Sequence, residues 1–413
     1  RKNSKKKQTR TFRPGDTKLE NEWRHVKYLI IDEMSMVGLS LLARLNRIVK
    51  IAKHINSDIP FGGVNVIFLG AYLQYSPVLD RPLYHSCASS EQITERQIDM
   101  QCAQKLISQM NCVVELSQQM RTEDLRYLEL LNRLRSGQST IEDYQLLCTR
   151  IIGNPKLQAS LQQKPWNEAP ILVFRNTLRT QINNRAVLNK AMEMGLRPMV
   201  CVAQDYFQGK HLSAYLLLVP GMPVLLTENV ARELGLSNGT CGIYHQLVYE
   251  ESSADIQFHD KNFPTNIKFI TQLKYALVEF PNCKLDSELA ELRAKIIPIS
   301  TNEQIFLFDL NELLAGNAAK AAKILKNNKK PQSSSQGQTL GKIIIDLVLP
   351  PGPVTVASVY VPLSRVKRLN GLLIIHPFEF AALQVKPSTA QREELKRLDR
   401  IAKSTPKRFP ISM

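Results

Sequence analysis

Two adjacent acids follow a short apolar run near the start of this 413-residue chain. Tyr28–Ile31 is apolar and rich in β-forming residues, and Asp32 and Glu33 come directly after it. This pattern predicts a buried strand that presents acids at its C-terminal edge. In a nucleoside triphosphatase, the first such carboxylate holds Mg²⁺ and the second polarises the attacking water. Strand-terminal acids also often cap the next helix, so the pair alone leaves both interpretations open.

The segments after these acids alternate between helical and strand patterns. An amphipathic stripe over residues 40–52, with Ser40 as the candidate N-cap, predicts a helix. Residues 64–69 predict a second buried strand, and residues 171–174 predict another strand before a helix over 178–194. The order of strand, helix and strand is typical of parallel α/β units.

Composition excludes several classes of protein. No stretch reaches the roughly 18 uninterrupted apolar residues of a membrane span, so we expect no membrane partner. The seven cysteines stand singly without a C-x-x-C pair, which argues against a disulfide framework and a zinc knuckle. The seven histidines show no ligand spacing, so we expect no metal site other than one for Mg²⁺.

The chain carries a formal net charge of +17, which favours a polyanionic partner such as nucleic acid. Much of this excess lies at the ends: residues 1–10 hold six cations and no acid, and residues 386–413 hold eight cations and three acids. We interpret these tails as solvated, poorly ordered chain, with nuclear targeting or loose phosphate contact as the alternatives. We therefore expect weak, salt-dependent binding of nucleic acid, carried largely by the tails.

Two longer strings resemble one known family. Residues 28–38 read Y-L-I-I-D-E-M-S-M-V-G, and residues 61–78 read F-G-G-V-N-V-I-F-L-G-A-Y-L-Q-Y-S-P-V. They resemble motifs II and III of the Pif-type ATP-dependent DNA helicases, in the 5′ to 3′ branch of superfamily one, which includes the helicases of Helitron transposons. The resemblance covers roughly residues 26–380. It implies an α/β fold of two RecA-like P-loop NTPase lobes, with ATP and Mg²⁺ between them and a small β-rich, barrel-like insert.

The resemblance also implies roles for five residues. Asp32 would hold Mg²⁺, Glu33 would activate the attacking water, and Gln74 would couple the nucleotide to DNA. Residues 115–137 resemble motif IV, where Arg121 would face the γ-phosphate. Residues 360–365, Y-V-P-L-S-R, resemble motif VI, where Arg365 would be the second phosphate sensor. An arginine suits this task because its planar, permanently charged fork can neutralise several phosphate oxygens.

A third string, S-S-S-Q-G-Q-T-L over residues 333–340, resembles motif V. The resemblance implies that Gln336 and Gly337 approach the cofactor and that Ser335 and Thr339 contact the DNA backbone. The strand and the His-Lys pair that precede this motif in the family are absent here, so either the chain is locally degraded or this loop is rebuilt.

Some features depart from the family. Ala71 replaces an aspartate of motif III, and Tyr75 replaces a leucine. The 413 residues contain no G-x-x-x-x-G-K-[ST] phosphate loop, which in the family lies upstream of motif II. The chain begins at Arg1, so we expect a fragment that hydrolyses ATP poorly by itself. The rival hypothesis is a non-catalytic remnant of a mobile element that at most binds single-stranded DNA.

These patterns together predict an organisation into lobes and tails. The prediction comprises a basic tail (1–18), a first lobe without its phosphate loop (19–120), a second lobe (121–211 and 266–385), a β-rich insert (212–265) and a basic tail (386–413). We expect a nuclear or mitochondrial monomer that binds single-stranded or forked DNA.

Overall fold

The structure is a computed structural model, and it describes most of the chain. The described residues are 17–55, 59–78, 80–86, 94–157, 159–174, 176–202, 215–250, 267–270, 273–285, 292–300, 340–348 and 354–409.

Eight α-helices lie within these residues. They are Thr17–Trp23 (α1), Leu39–Ala52 (α2), Glu95–Ser108 (α3), Leu125–Ser136 (α4), Ile141–Cys148 (α5), Asn176–Met194 (α6), Val356–Leu363 (α7) and Thr389–Arg408 (α8). No helix in the described part of the chain is both long and apolar enough to cross a membrane.

Twelve strands lie in the same described residues. They are Tyr28–Ile31 (β1), Asn65–Phe68 (β2), Ile171–Leu172 (β3), Met199–Val202 (β4), Tyr215–Leu218 (β5), Pro223–Leu225 (β6), Cys241–Tyr249 (β7), Lys268–Ile270 (β8), Leu273–Glu279 (β9), Ile296–Ser300 (β10), Ile343–Ile345 (β11) and Leu372–Ile374 (β12).

The chain divides into two compact units, and the first one comprises residues 1–174 and 335–413. It contains two parallel sheets, β1 with β2 and β12 with β11 and β3. Each sheet has its own hydrophobic cluster. The first cluster packs α2 and α3 against β1 and β2, and the second packs α4, α5 and α7 against β11 and β12.

The strand before the two acids forms where the sequence predicts it, but it is buried on one face only. Leu29 and Ile31 pack into the first cluster, whereas Tyr28 is 63% exposed and Ile30 is 61% exposed. The prediction of a fully buried strand is therefore wrong. Among the described residues, helices pack against only one face of this two-stranded sheet, and alternate side chains point to the other face.

The start of α2 also differs from the prediction. Gly38, not Ser40, occupies the N-cap position. The helix is capped by Asp80, which lies 40 residues further along the chain. Its carboxylate accepts hydrogen bonds from the backbone nitrogens of Ser40 (3.1 Å) and Leu41 (3.3 Å) and from the Ser40 hydroxyl (2.9 Å). A distant aspartate thus performs the task that the local pattern assigns to Ser40.

Replacing Asp80 with alanine is expected to lower the free energy of unfolding by about 0.5–2 kcal/mol, the usual cost of losing an N-cap. Asp80→Asn keeps one acceptor oxygen and is expected to lose less. The control is Asp399→Ala on the exposed face of α8, where the carboxylate pairs with Lys403 and little stability depends on it. Urea denaturation measures all three, and equal losses for Asp80→Ala and Asp399→Ala would refute the capping role.

The second unit comprises residues 175–334 and is rich in antiparallel strands. One sheet has the order β10, β9, β7, β6, and the other has the order β5, β4, β8. Because β9 pairs antiparallel with both β7 and β10, the β-rich sheet extends to Ser300. This sheet continues past the predicted insert, 212–265, into residues that the sequence assigns to the second lobe, and the division into lobes and insert stays a prediction.

Residues 386–413 do not match the prediction of a poorly ordered tail, since residues 389–408 form α8. Ser388 caps the helix through a reciprocal pair of hydrogen bonds with Gln391. One face of α8 packs on the first cluster through Leu398, and Gln391 donates to the backbone oxygen of Tyr72 (3.0 Å). The charge of this segment does not reveal the helix, because charge carries no information on apolar periodicity or on capping residues.

Candidate nucleotide-phosphate site

The carboxyl ends of β1 and β2 are joined by backbone hydrogen bonds. The Leu69 nitrogen donates to the Ile31 oxygen (2.8 Å), and the Met34 nitrogen donates to the Leu69 oxygen (2.9 Å). The two chain segments that follow these strands, residues 32–36 and 70–78, therefore lie side by side at one edge of the sheet. Polar side chains after parallel strands are commonly gathered at such an edge.

Glu33 sits on a sharply turned backbone. Its φ and ψ are 51° and 48°, in the left-handed region, and its nitrogen donates to Asp32 Oδ1 (2.8 Å). The adjacent Gly70 has a φ of +128°, and a Cβ there would lie 3.1 Å from the Met34 nitrogen. A glycine at position 70 lets the two segments approach this closely, and the turn places Glu33 beyond the end of the strand.

Asp32 and its surroundings fit magnesium held jointly with phosphates. The Asp32 side chain is exposed and uses one oxygen within its own turn. Nearby, the Ser35 hydroxyl is buried without a hydrogen-bond partner. Among the described residues there is no group of three potential metal-ligating side chains. Magnesium is commonly bound by one or two carboxylates together with substrate phosphates and water, and a single carboxylate at a strand end suits that arrangement.

Arg121 lies on a segment that is anchored to the loop after α7. The Glu123 nitrogen donates to the Lys367 oxygen (2.9 Å), and the Glu123 carboxylate pairs with Lys367 (3.2 Å) and Arg368 (2.8 Å). Hydrogen bonds from these two cations lower the pKa of Glu123. Arg121 itself reaches the Ser364 backbone oxygen at 3.5 Å. These contacts hold Arg121 beside the end of α7.

Arg365 is buried at the C-terminus of α7, with 2% of the residue exposed. Its Nε donates to the Val361 oxygen (3.0 Å), and a terminal nitrogen donates to the Ser364 hydroxyl (3.1 Å). A cation is favourable there because the last carbonyls of a helix carry partial negative charge. The side chain is therefore positioned by the helix that precedes it.

The pKa of Arg365 depends on charged and polar groups from several segments of the site. Burial and the charge of Arg121 lower the pKa of Arg365, whereas Tyr360, Glu33 and Tyr75 act in the opposite direction. Burial also raises the pKa of Tyr75, and the charge of Arg365 offsets part of that rise. Two arginines thus lie close enough to repel, with a carboxylate close enough to attract. A bound phosphate chain would neutralise both arginines.

The structure brings Glu33, Arg121 and Arg365 together, with Asp32 adjacent to Glu33. Gln74 is half-buried in the 70–78 segment, directly before Tyr75. The predicted motif V residues lie outside the described residues: Ser335, Gln336, Gly337 and Thr339.

Sequence reasoning missed three residues that shape the site. Tyr75 departs from the leucine of the family, but nothing in the sequence indicates its electrostatic contact with Arg365. Asp124 caps α4 by accepting from the Tyr127 nitrogen (3.1 Å), which the aspartate before an apolar periodic stretch could have indicated. The buried Tyr127 hydroxyl donates to the Leu363 oxygen (2.7 Å) and ties α4 to α7, a contact that only the fold reveals.

Comparison with known proteins places part of this chain beside one family of helicases. Residues 3–145 match the family model of the PIF1-like helicases. Over this range the chain is similar to the PIF1-like helicases. The matched range contains Asp32, Glu33, Gln74 and Arg121, whereas Arg365 lies beyond it.

Individual relatives match different parts of the chain. The ATP-dependent DNA helicase RRM3 of Saccharomyces cerevisiae is 32% identical over 123 residues, which are 29% of this chain and 15% of that protein. The uncharacterized protein 030L of Invertebrate iridescent virus 6 is 23% identical over 308 residues, 69% of this chain and 51% of that protein. The chain therefore spans about half, or less, of the length of these relatives.

A solved structure extends the likeness to nearly the whole fold. The Pif1 helicase from Bacteroides, in complex with ADP-AlF3 and single-stranded DNA, superposes with a TM-score of 0.56. The match covers 94% of this chain and 79% of that chain at 18% identity. At this identity the likeness shows the fold, which is the α/β RecA-like fold that the sequence predicts.

Proposed function

We propose that this chain is the motor part of an ATP-dependent 5′ to 3′ DNA helicase that couples ATP hydrolysis to translocation along single-stranded DNA. The observation that carries the proposal is that Arg121 and the buried Arg365 both contact Ser364, with Glu33 in electrostatic range of Arg365. A site with two convergent guanidinium groups and a strand-end acid has the parts that phosphoryl transfer needs, namely charge neutralisation and a group that orients water.

Each residue has one role in this proposal. Asp32 holds Mg²⁺, which when bound would neutralise charge on the phosphate oxygens. Glu33 accepts the proton of the attacking water. Arg121 and Arg365 stabilise the charge that develops on the transferred phosphoryl group. Gln74 transmits the state of the site to DNA, since an amide can donate and accept a hydrogen bond without carrying charge.

Two sequence features favour a second candidate, a non-catalytic helicase remnant that at most binds single-stranded DNA. Ala71 stands where the family has an aspartate, and no phosphate loop occurs within the 413 residues. Without that loop, the backbone amides and the lysine that hold the phosphates are missing.

An ATPase assay separates the two candidates. With Mg²⁺ and single-stranded DNA, the 413 residues alone are expected to hydrolyse ATP at no more than a trace rate. A longer protein with a phosphate-loop segment ahead of residue 1 is expected to turn over ATP and to unwind a duplex with a 5′ tail, not one with a 3′ tail. If the longer protein folds and stays inactive, the remnant candidate is correct. Robust hydrolysis by the 413 residues alone would show that the loop is not required.

A further inference from the structure

The outer face of α8 carries a row of positive charge. The helix contains seven cations and three acids. Five exposed cations recur at helical spacing, and they are Arg392, Lys396, Arg400, Lys403 and Lys407. At 100° per residue they fall within about 80° of arc. We call these five residues the α8 basic stripe.

The opposite face of α8 packs against the first cluster and the segments around it. Leu398 packs into that cluster, Thr405 accepts a hydrogen bond from the Val113 nitrogen (3.1 Å), and Arg397 donates to the Ile107 oxygen (3.3 Å). Arg397 also pairs with Glu394 at 2.8 Å. The helix is therefore fixed by its inner face, and the stripe is presented outward on a rigid support.

Few carboxylates in the described part of the chain neutralise the positive charge of the α8 basic stripe. Of its five cations, Lys403 alone has an ion pair with a carboxylate among the described residues, with Asp399 at 2.7 Å. Glu393 is exposed at the border of the stripe. Aligned cations on a fixed helix repel one another at close range, and a line of anionic groups would relieve that repulsion.

The dimensions and composition of the stripe suit a phosphate backbone. From Arg392 to Lys407 the helix rises about 22 Å, at about 1.5 Å per residue. One strand of a DNA duplex presents roughly six phosphates over that length, at about 3.4 Å each. Residues 389–408 contain no aromatic side chain, whereas surfaces for single strands use aromatic residues to stack bases. The stripe thus offers backbone contacts without base stacking.

We infer that the α8 basic stripe docks along the phosphate backbone of double-stranded DNA. This surface is separate from the nucleotide-phosphate site, and the inference holds whether or not the chain hydrolyses ATP. On this inference, the positive charge of residues 386–413 binds duplex DNA through a defined surface, in place of loose contacts with single strands.

The test compares two variants of the full 413-residue chain that each lose five positive charges. In the stripe variant, the five stripe residues are replaced by glutamine, which keeps the helix propensity high. In the control variant, glutamine replaces five exposed cations on other elements, and they are Lys105, Lys156, Lys164, Arg185 and Arg232. Both variants retain residues 1–10, and circular dichroism and thermal melting check that both are folded.

Fluorescence anisotropy measures the affinity for a labelled duplex, and for a single strand of the same length, over a range of salt concentrations. The stripe variant is expected to bind the duplex at least about tenfold more weakly, with a salt slope shallower by up to about 4, since each lost phosphate contact removes about 0.9. The control variant is expected to stay within about threefold of the unmodified chain, because distant charges are screened.

Three results would overturn the inference. One is an equal loss for the stripe and control variants, which would indicate a general effect of net charge. Another is a loss confined to the single strand. The third is stripe-dependent binding to vesicles of phosphatidylcholine and phosphatidylserine with unchanged duplex affinity, which would identify a lipid surface as the partner.

Discussion

Glu33→Gln is expected to slow ATP hydrolysis by about 10² to 10⁴-fold in a protein that carries a phosphate-loop segment ahead of residue 1. The amide keeps the shape of the carboxylate but cannot accept the proton of the attacking water. The left-handed turn at Glu33 and the close approach of Gly70 place this side chain beyond the strand end, in electrostatic contact with Arg365.

A nucleotide-binding assay distinguishes loss of the general base, Glu33, from loss of the whole nucleotide-binding site. A fluorescent ATP analogue is expected to bind Glu33→Gln as tightly as the unmodified protein, because the phosphate-neutralising residues are retained. Glu393→Gln, on the exposed face of α8, is the matched control and should leave turnover unchanged. Hydrolysis by Glu33→Gln at the unmodified rate would rule out Glu33 as the base.

Arg365→Ala is expected to lower turnover further, by about 10³ to 10⁵-fold, the range typical of arginines that neutralise a transferred phosphoryl group. The rate falls because a fixed positive charge is lost where negative charge develops. Steady-state ATP hydrolysis with Mg²⁺ and single-stranded DNA measures the effect.

Because Arg365 is buried, a second variant is needed to separate loss of turnover from loss of stability. Alanine would remove the Nε donor to the Val361 oxygen, which keeps only its bond from the Ser364 hydroxyl, and loss of a hydrogen bond to a charged group lowers stability by about 1.5–3 kcal/mol. Arg365→Lys keeps the charge and a donor but lacks the planar fork. It is expected to remain folded by circular dichroism and still to lose most of the turnover. A folded Arg365→Lys protein with unmodified turnover would contradict the role of the guanidinium group.

Much of the arrangement around β1 can be predicted from sequence because it depends on local patterns. The apolar run of β1 followed by two acids, and the helical periodicity over residues 40–52, describe elements whose boundaries the structure reproduces to within a few residues. Hydrophobic periodicity reflects which face of an element packs, so it locates elements well. It does not show how many faces of a strand are covered, which is why the exposure of Tyr28 and Ile30 was missed.

Contacts between distant parts of the chain could not be predicted in this way. Asp80 caps a helix 40 residues earlier, and no local pattern links the two. The bond from the Tyr127 hydroxyl to the Leu363 oxygen joins residues 236 positions apart. The resemblance assigned Arg121 and Arg365 to one nucleotide, but the burial of Arg365 against α7 and its contact with Tyr75 follow from packing. The pairing of β9 with β7 and β10 likewise has no local sequence signal.

The central claim is that Glu33, Arg121 and Arg365 serve one phosphate site. The most direct measurement is a crystal structure of a protein with a phosphate-loop segment ahead of residue 1, in complex with Mg²⁺, ADP and aluminium fluoride. The account predicts that both guanidinium groups lie within hydrogen-bond distance of the fluoride, with Asp32 at the magnesium and Glu33 beside the attacking water. A structure in which Arg365 still bonds only the end of α7, while Arg121 faces solvent away from the nucleotide, would contradict it.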